Sequence, residues 1–399
     1  MSKSALIQIS SLSSLRAAWK YLDGKTVGRG RETTGIDNSS INEFSQHVEN
    51  NLLIIQHQMR SESGYQFNYL KAHIIPKANG KQRVICVPTL NDRIVQRAIV
   101  DFLSDGDKCK IKNSVSYGFI RGRTVEQAVS RAKNLRHRKP WVYKTDITSF
   151  FDKIPRDLLK KSIETSIRHR SLHKIIIAAS VCEIFEPKAS RQRIILKHGI
   201  KEGYGVRQGM PLSPFFANLL LKSFDSYIEK NNLKMVRYAD DFVIFSKTEQ
   251  DCKTIHNACK QALQGLKLTI PEIEEDTKTQ VYPPNKSADF LGIGLVKFGK
   301  EYKMKVLPEQ LNKIKTKFFQ FSSFEYLIDN GINLSNLNKK IDGSIAGYIG
   351  SYHYADNISE LEVKIISYKK DVLSKIYSDG LSIDIEKLTS DQCYFLGLN

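Results

Sequence analysis

The run KMVRYADDFVIFS (234–246) constrains this chain more than any other stretch. Two β-rich segments meet at Ala239-Asp240, so the run reads as a hairpin with the acidic pair Asp240-Asp241 at its turn. Aspartate is ordinary in turns, and an exposed acidic pair at a hairpin tip needs no function. The setting is less ordinary. The apolar residues FVIF follow at once, and two adjacent carboxylates repel one another unless water or a cation offsets them. Asp146 ends another β-like run, WVYKTD (141–146), shortly before the pair Phe150-Phe151. If the two strands are neighbours, Asp146, Asp240 and Asp241 converge at one sheet edge. Oxygen-only ligands with open positions suit Mg²⁺, which takes a few carboxylates and fills the rest with water and substrate phosphates. Two such ions can drive phosphoryl transfer by activating a hydroxyl and stabilising the leaving group. On the residues alone, the metal cluster and the solvated turn both stand.

Charge narrows the partners. The 399 residues carry 61 Lys+Arg against 42 Asp+Glu, a formal net charge of +19, which asks for a polyanion: nucleic acid or an anionic membrane surface. No stretch approaches the ~18 consecutive apolar residues of a spanning helix, and MSKSALIQISSLSS lacks the apolar core of a signal peptide. Six scattered cysteines are too few and too irregular for a disulfide framework, so a reducing cytoplasm is the expected home. A secreted mini-protein, a collagen-like chain and a membrane protein are excluded. A soluble, basic, globular protein remains.

The rest of the chain reads as a mixture. Residues 11–60 are helical in pattern, broken by the loop GKTVGRGRETTG. YLKAHIIPKANGKQRVICVP holds two short apolar runs joined by Ala78-Asn79-Gly80, a hairpin carrying Lys77, Lys81 and Arg83. A helix follows from Leu90 to about Leu103, Pro155 opens another in its first turn, and Pro214 opens a third. From about residue 300 the chain reads as helical and lysine-rich. Strands and helices without strict βαβ alternation predict an α+β fold.

Tyr238-Ala239-Asp240-Asp241, taken together with KTDITSFFDKIP (144–155) and RQGMPLSPFFANLLL (207–221), resembles a reverse transcriptase, most closely the bacterial enzymes of the group II intron type. TGIDNSSINEF, HIIPKANGKQRVICVPTLNDRIVQRAI (73–99), SYGFIRGRTVEQAV (116–129) and FLGIGL (290–295) follow the same family order. The resemblance implies a right-hand polymerase fold, with an N-terminal helical extension over 1–60, fingers and palm over 61–298, and a helical, maturase-like thumb and tail over 299–399. It implies an RNA-directed DNA polymerase that uses two Mg²⁺ ions, dNTPs and an RNA template, a cognate structured non-coding RNA, to make a DNA product. The stand-alone bacterial enzymes it resembles are linked to antiphage defence. The alternative is a group II intron-type maturase, in which RNA folding is the main role.

By the same resemblance, Asp146, Asp240 and Asp241 are catalytic and metal-binding. Lys77 and Arg83 grip the incoming triphosphate, Phe151 is the steric gate against a 2′-hydroxyl, and Gln208-Gly209 lie under the nascent base pair. Tyr238, Ala239 and Gly292 are placed at the primer–template, and Lys278 is a candidate general acid for pyrophosphate. Without the resemblance these residues read as a solvated basic hairpin, a core phenylalanine, a surface amide and a surface lysine. A retron enzyme's Val-Thr-Gly triplet does not occur, and the last matched block ends shortly before Asn399, so no appended nuclease is expected. Priming is left open between an RNA hydroxyl and a protein tyrosine such as Tyr394.

Other features read more blandly. RAKNLRHRK (131–139) and KEYKMKVLPEQLNKIKTK (300–317) are solvated basic faces or phosphate tracks. Tyr348, Tyr352 and Tyr354 could stack on bases, but tyrosines near a Gly-rich helix are more often packing. Cys252, His256 and Cys259 fall on one helix face, and a zinc site there lacks a fourth ligand.

Overall fold

A computed structural model describes residues 4–76, 82–274 and 277–398. In chain order its principal elements begin with helices α1 (Leu12–Lys25) and α2 (Val48–Arg60), the hairpin β1 (Lys71–Pro76) and β2 (Gln82–Val87), and α3 (Leu90–Ser104). Next come α4 (Val125–Arg138), β3 (Trp141–Asp146), α5 (Arg156–Ser166), α6 (Ala189–Lys197) and α7 (Ser213–Lys230). The hairpin β4 (Lys234–Tyr238) and β5 (Asp241–Ser246) leads into α8 (Glu249–Gln264) and β6 (Gln280–Tyr282). Strands β7 (Ala288–Phe290), β8 (Ile293–Phe298) and β9 (Glu301–Lys305) precede helices α9 (Pro308–Phe319), α10 (Leu334–Tyr352) and α11 (Ile358–Lys375). Both expected hairpins form, and β3 occupies the residues that the sequence marks as a strand.

Two compact units interleave along the chain. Unit 1 comprises 1–124, 143–245 and 249–281; unit 2 comprises 125–142, 246–248 and 282–399. Unit 1 is built on a four-stranded sheet in the order β4-β5-β3-β6, with β1-β2 as a separate two-stranded ribbon. Helix α7 forms its spine: Phe215, Phe216, Ala217, Leu219, Leu220, Leu221, Phe224 and Ile228 are all buried, as expected for a helix apolar on more than one face. Pro214 sits in the first turn of α7, where its missing N–H costs nothing. Pro155, by contrast, caps α5 from outside rather than opening its first turn. Helix α3 is closed at its start by Thr89, whose hydroxyl accepts from the Asp92 amide at 3.3 Å.

Unit 2 carries a three-stranded sheet in the order β7-β8-β9 and the helices α4 and α9–α11. Here the sequence expectation needs correction, because the chain does not turn helical at about residue 300. Glu301–Lys305 is β9, paired antiparallel with β8 from Phe298↔Glu301 to Gly294↔Lys305. Its period is two: Tyr302 and Met304 are buried while the lysines between and beside them are not, and frequent lysine masks that alternation. Arg136 of α4 is fully buried and ties the unit together by donating to the carbonyls of Leu295 (2.5 Å), Pro283 (3.0 Å) and Lys286 (2.5 Å). Tyr348 packs on Phe318 with ring centroids 5.6 Å apart, which is a packing role.

All six cysteines are free thiols: Cys86, Cys109, Cys182, Cys252 and Cys259 are buried and Cys393 is partly exposed. Burial pushes the thiols of Cys86, Cys109, Cys182 and Cys259 up to about 12. Among the described residues, no helix is long and apolar enough to cross a membrane.

Candidate active site

Asp146 and Asp240 reach one place because their strands are neighbours. Strand β3 lies beside β5, and the Ile147 amide donates to the Asp240 carbonyl at 3.1 Å. In the β4–β5 hairpin Tyr238 faces Asp241, leaving Ala239-Asp240 as a two-residue turn. Ala239 takes a φ of 60°, a value tight hairpin turns demand and that a small side chain tolerates best.

The turn is held from beneath by a buried polar network. Arg237, fully buried in β4, donates through Nε to Asp225 Oδ1 at 2.8 Å and through Nη1 to the Ala239 carbonyl at 2.8 Å and Asn218 Oδ1 at 3.2 Å. Asn218 in turn donates to the Gly118 carbonyl at 2.8 Å. A side chain on Gly118 would run into the backbone of Tyr238 and Ala239, so glycine is required for the SYGF loop to lie against the turn. Sequence reading passed over Arg237, Asp225 and Asn218. A charged residue inside an apolar strand, and two polar residues seven apart on one face of α7, were the available signals.

The charges in the site are mutually dependent. Burial pushes the Asp240 carboxyl above its usual range and the nearby Asp146 adds to the rise, while its own backbone amide, Lys278 and Arg83 pull it back. The Lys278 ammonium sits on Asp146 Oδ2. Partial burial lowers its pKa, but the bond to Asp146 and the charges of Asp146, Asp240 and Asp241 outweigh this and hold it above the ordinary lysine value. Lys278 is placed by its neighbour Thr279, which is buried and shares a 2.7 Å hydrogen bond with Thr145 of β3.

A cavity of about 490 Å³ opens over these groups. Asp146, Asp240, Lys278, Arg83, Phe151 and Gln208 all line it, so six sequence-designated residues from five separate segments of unit 1 meet there. His198 lines it as well, with no signal in the sequence to single it out. Asp241, Tyr238, Ala239 and Gly209 do not line it. Asp241 begins β5, Tyr238 packs on Phe119 with centroids 6.1 Å apart, and Ala239 is buried. Gly209, at φ 110°, is pressed against the Cys86 carbonyl, and the Cys86 amide donates to the Gln208 carbonyl at 2.7 Å. Its close backbone contact is therefore with strand β2. Lys77 lies outside the described residues. Gly292 belongs to unit 2, at the β7–β8 turn, where it follows Leu291 in a pair of positive φ angles (53° and 82°) and the Tyr352 hydroxyl closes over it.

The donor set suits a hard cation. Asp146 and Asp240 offer only oxygen, and among the described residues the Lys278 ammonium and the Arg83 guanidinium offset their negative charge. Among the described residues no three or more His, Cys, Asp or Glu side chains form a closed metal cage. An open pair of carboxylates, completed by substrate oxygens, is the pattern a hard divalent ion accepts. Cys252, His256 and Cys259 line the inner face of α8, where His256 meets the Tyr143 hydroxyl at 3.0 Å and Glu272 at 3.1 Å.

Acidic strand ends over a cavity rimmed by basic and aromatic side chains, on a mixed helix-and-sheet body, define the right-hand polymerase fold. The chain belongs to the reverse transcriptase (RNA-dependent DNA polymerase) family, whose model matches residues 75–295, more than half its length. That membership makes it an RNA-directed DNA polymerase, of a family that uses divalent metal ions. Among curated proteins it is similar to YkfC of Escherichia coli K12, 27% identical over 69% of this chain and 78% of that protein. It is also similar to the retron Ec83 reverse transcriptase of E. coli, 26% identical over 46% of this chain and 54% of that protein. The group II intron-encoded protein LtrA of Lactococcus lactis subsp. cremoris is 23% identical over 63% of this chain, which spans 39% of LtrA. Similar solved structures include a partial Cas6-RT-Cas1–Cas2 complex (TM-score 0.39, 25% identity, 67% of this chain and 42% of that one) and Candida albicans telomerase (TM-score 0.43, 14% identity, 88% and 69%).

Proposed function

We propose that this chain copies an RNA template, a cognate structured non-coding RNA, into DNA from dNTPs, with two Mg²⁺ ions at Asp146 and Asp240 and with Asp241 beside them. The observation that carries this reading is the meeting of Asp146, Asp240, Lys278, Arg83, Phe151 and Gln208 on one cavity. When bound, the ions supply activation of the primer hydroxyl and charge stabilisation at the phosphates. The protein's own groups do the rest. Arg83 offers a planar, multidentate grip on the triphosphate, joined by Lys77. Phe151 closes the sugar side of the cavity, and Gln208 lies under the base. Lys278, held protonated beside Asp146, is placed to give a proton to the leaving pyrophosphate.

Primer extension on a primed RNA template tests this directly. Asp240→Ala should lower the rate by about 10²–10³-fold or more, the scale of removing one group that stabilises transition-state charge. Equal rates for wild type and variant remove the catalytic assignment. Fingers and palm are assigned to residues 61–298 and the thumb to 299–399. The role in antiphage defence and the cytoplasmic location follow from the resemblance to stand-alone bacterial enzymes. For defence, cells carrying the wild-type chain should plate phage less efficiently than cells carrying Asp240→Ala. Identical plating across a broad phage panel counts against it.

A further inference from the structure

Helices α5 and α7 pack side by side in unit 1, and their outer faces leave a groove of about 480 Å³ between them. It shares no residue with the catalytic cavity. Helix α7 ends at Lys230, just before β4 begins, whereas the turn that carries Asp240 lies beyond the far end of β4. The five residues of β4, rising about 3.3 Å each, put on the order of 16 Å of strand between the two.

The groove is lined by hydroxyls and ammonium groups. Ser162, Thr165 and Ser166 line it from α5 at the one-turn spacing of a single helix face. Ser223, Ser226, Tyr227 and Lys230 do the same from α7, with Lys222 beside them. Ser162 and Thr165 donate back to the carbonyls of Leu158 (2.9 Å) and Lys161 (2.8 Å), so what they offer the groove is acceptor capacity. Among the described residues, the hydroxyls of Ser166, Ser223, Ser226 and Tyr227 have no partner. Lys222 gives one N–H to the Cys109 carbonyl at 2.9 Å and keeps two more. No acid lines the groove. Of the acids on the two helices, Asp157, Asp225 and Glu229 are paired with Lys267, Arg237 and Ser114, and exposed Glu164 stands outside the lining. Exposed cations continue outward from it: Lys161 on α5, and Lys110 and Lys112 on either side of the segment that receives Lys222.

We propose that this groove binds the sugar–phosphate backbone of a folded RNA stem, held at a second site while the catalytic cavity copies another part of the molecule. The lysines take phosphates, and the hydroxyls take phosphate oxygens and ribose 2′-hydroxyls, the groups by which double-stranded RNA is recognised. Phosphates and carboxylates bring no proton to the acceptors Ser162 and Thr165, whereas a ribose 2′-hydroxyl does. A single phosphate would occupy one or two of the cations. Cations strung along both helices and the adjoining segment match successive phosphates of a polymer. The inference rests on the RNA-copying reading for the partner being RNA.

The test compares primed RNA templates that differ only in a stem-loop of about 16 base pairs, joined to the template's 5′ end by a single-stranded linker. Binding is read by anisotropy across a salt series, and extension is read separately. The wild type should hold the stem-bearing template more tightly, and a DNA stem should give a smaller gain. Lys222→Gln/Lys230→Gln should abolish the gain and lower the slope of log K against log salt by about 1.8, or about 0.9 for each lost phosphate contact. Binding and extension of the plain template should stay as in the wild type. Ser223→Trp, which fills the groove and keeps both lysines, should abolish the gain as well. No gain in the wild type, an equal gain from a DNA stem, a gain that survives both variants, or equal losses on both templates overturns the proposal. Binding of polyglutamate to the groove without any gain from the stem would assign it to an acidic protein segment instead. Failure of the RNA-copying reading shows differently, as absence of dNTP incorporation on the plain template by the wild type.

Discussion

Phe150 and Phe151 are neighbours in sequence and in space, their ring centroids 5.5 Å apart. Both border the catalytic cavity, but Phe150 is buried while Phe151 is half-buried. The backbone around them is pinned on both sides. Ser149 takes a left-handed φ of 47°, the Val206 amide donates to the Phe151 carbonyl at 2.8 Å, and Gly205 bonds to Ile154 at 3.2 Å. A side chain on Gly205 would strike the backbone of Asp152, so this join admits only glycine. The Phe151 ring is therefore held rather than merely present, which a sugar-discriminating wall requires. Phe151→Ala should raise ribonucleotide incorporation relative to deoxyribonucleotide incorporation by about 10–200-fold, the range for relieving one steric exclusion. An unchanged dNTP/rNTP ratio in primer extension sinks the assignment.

The elements that build the site are cross-braced by buried ions, and these braces set the stability of unit 1. Glu183 receives Arg156 Nη1 at 2.6 Å, Arg207 Nη2 at 2.5 Å and the Gly203 amide at 2.9 Å, tying α5 and the segment before α7 to the strand-like run beside Leu70. Burial raises the Glu183 pKa, but the Gly203 amide and the two guanidinium groups more than cancel this and leave it below the ordinary value of 4.5. A lowered carboxylate stabilises the fold above its unfolded pKa, and that contribution is lost as pH falls through the lower folded value. Glu183→Gln leaves Arg207 buried with a neutral partner, and a broken buried pair costs about 3–5 kcal/mol. Urea denaturation at pH 7 should show that loss in the variant, and the gap between variant and wild type should narrow as the pH is taken below 4.5. A constant gap across that range rules out the ionised Glu183 as its source.

How much of this was legible depends on whether a signal was local. Both hairpins, the strand ending at Asp146 and the helix opening at Pro214 are short-range patterns of apolar residues and turn formers, and they stand in the structure where the sequence marks them. The β7–β9 sheet was not legible, because its last strand hides inward Tyr302 and Met304 among lysines. The seat of Lys278 on Asp146, 132 residues away, depends on β6 lying beside β3, which no local pattern encodes.

At the scale of the whole molecule, the net charge of +19 resolves into parts. An acidic focus at Asp146 and Asp240 lies within basic surroundings contributed by Arg83, Lys278 and the acid-free run 189–201. Binding of a primer–template should accordingly weaken steeply with salt, log K falling by about 0.9 per tenfold rise in salt for each phosphate neutralised in a duplex. Titration by anisotropy between low and physiological salt reads the slope, and a flat line would mean that the basic surface does not meet phosphate.

The placement of the thiols has a practical consequence. A maleimide dye reacts with thiolate, which the four thiols held near 12 scarcely provide at neutral pH, and Cys252 is equally enclosed. Only the partly exposed Cys393 is open to the reagent. The native chain thus carries one addressable handle near its C-terminus, and single-molecule fluorescence of this polymerase can begin without first removing any cysteine.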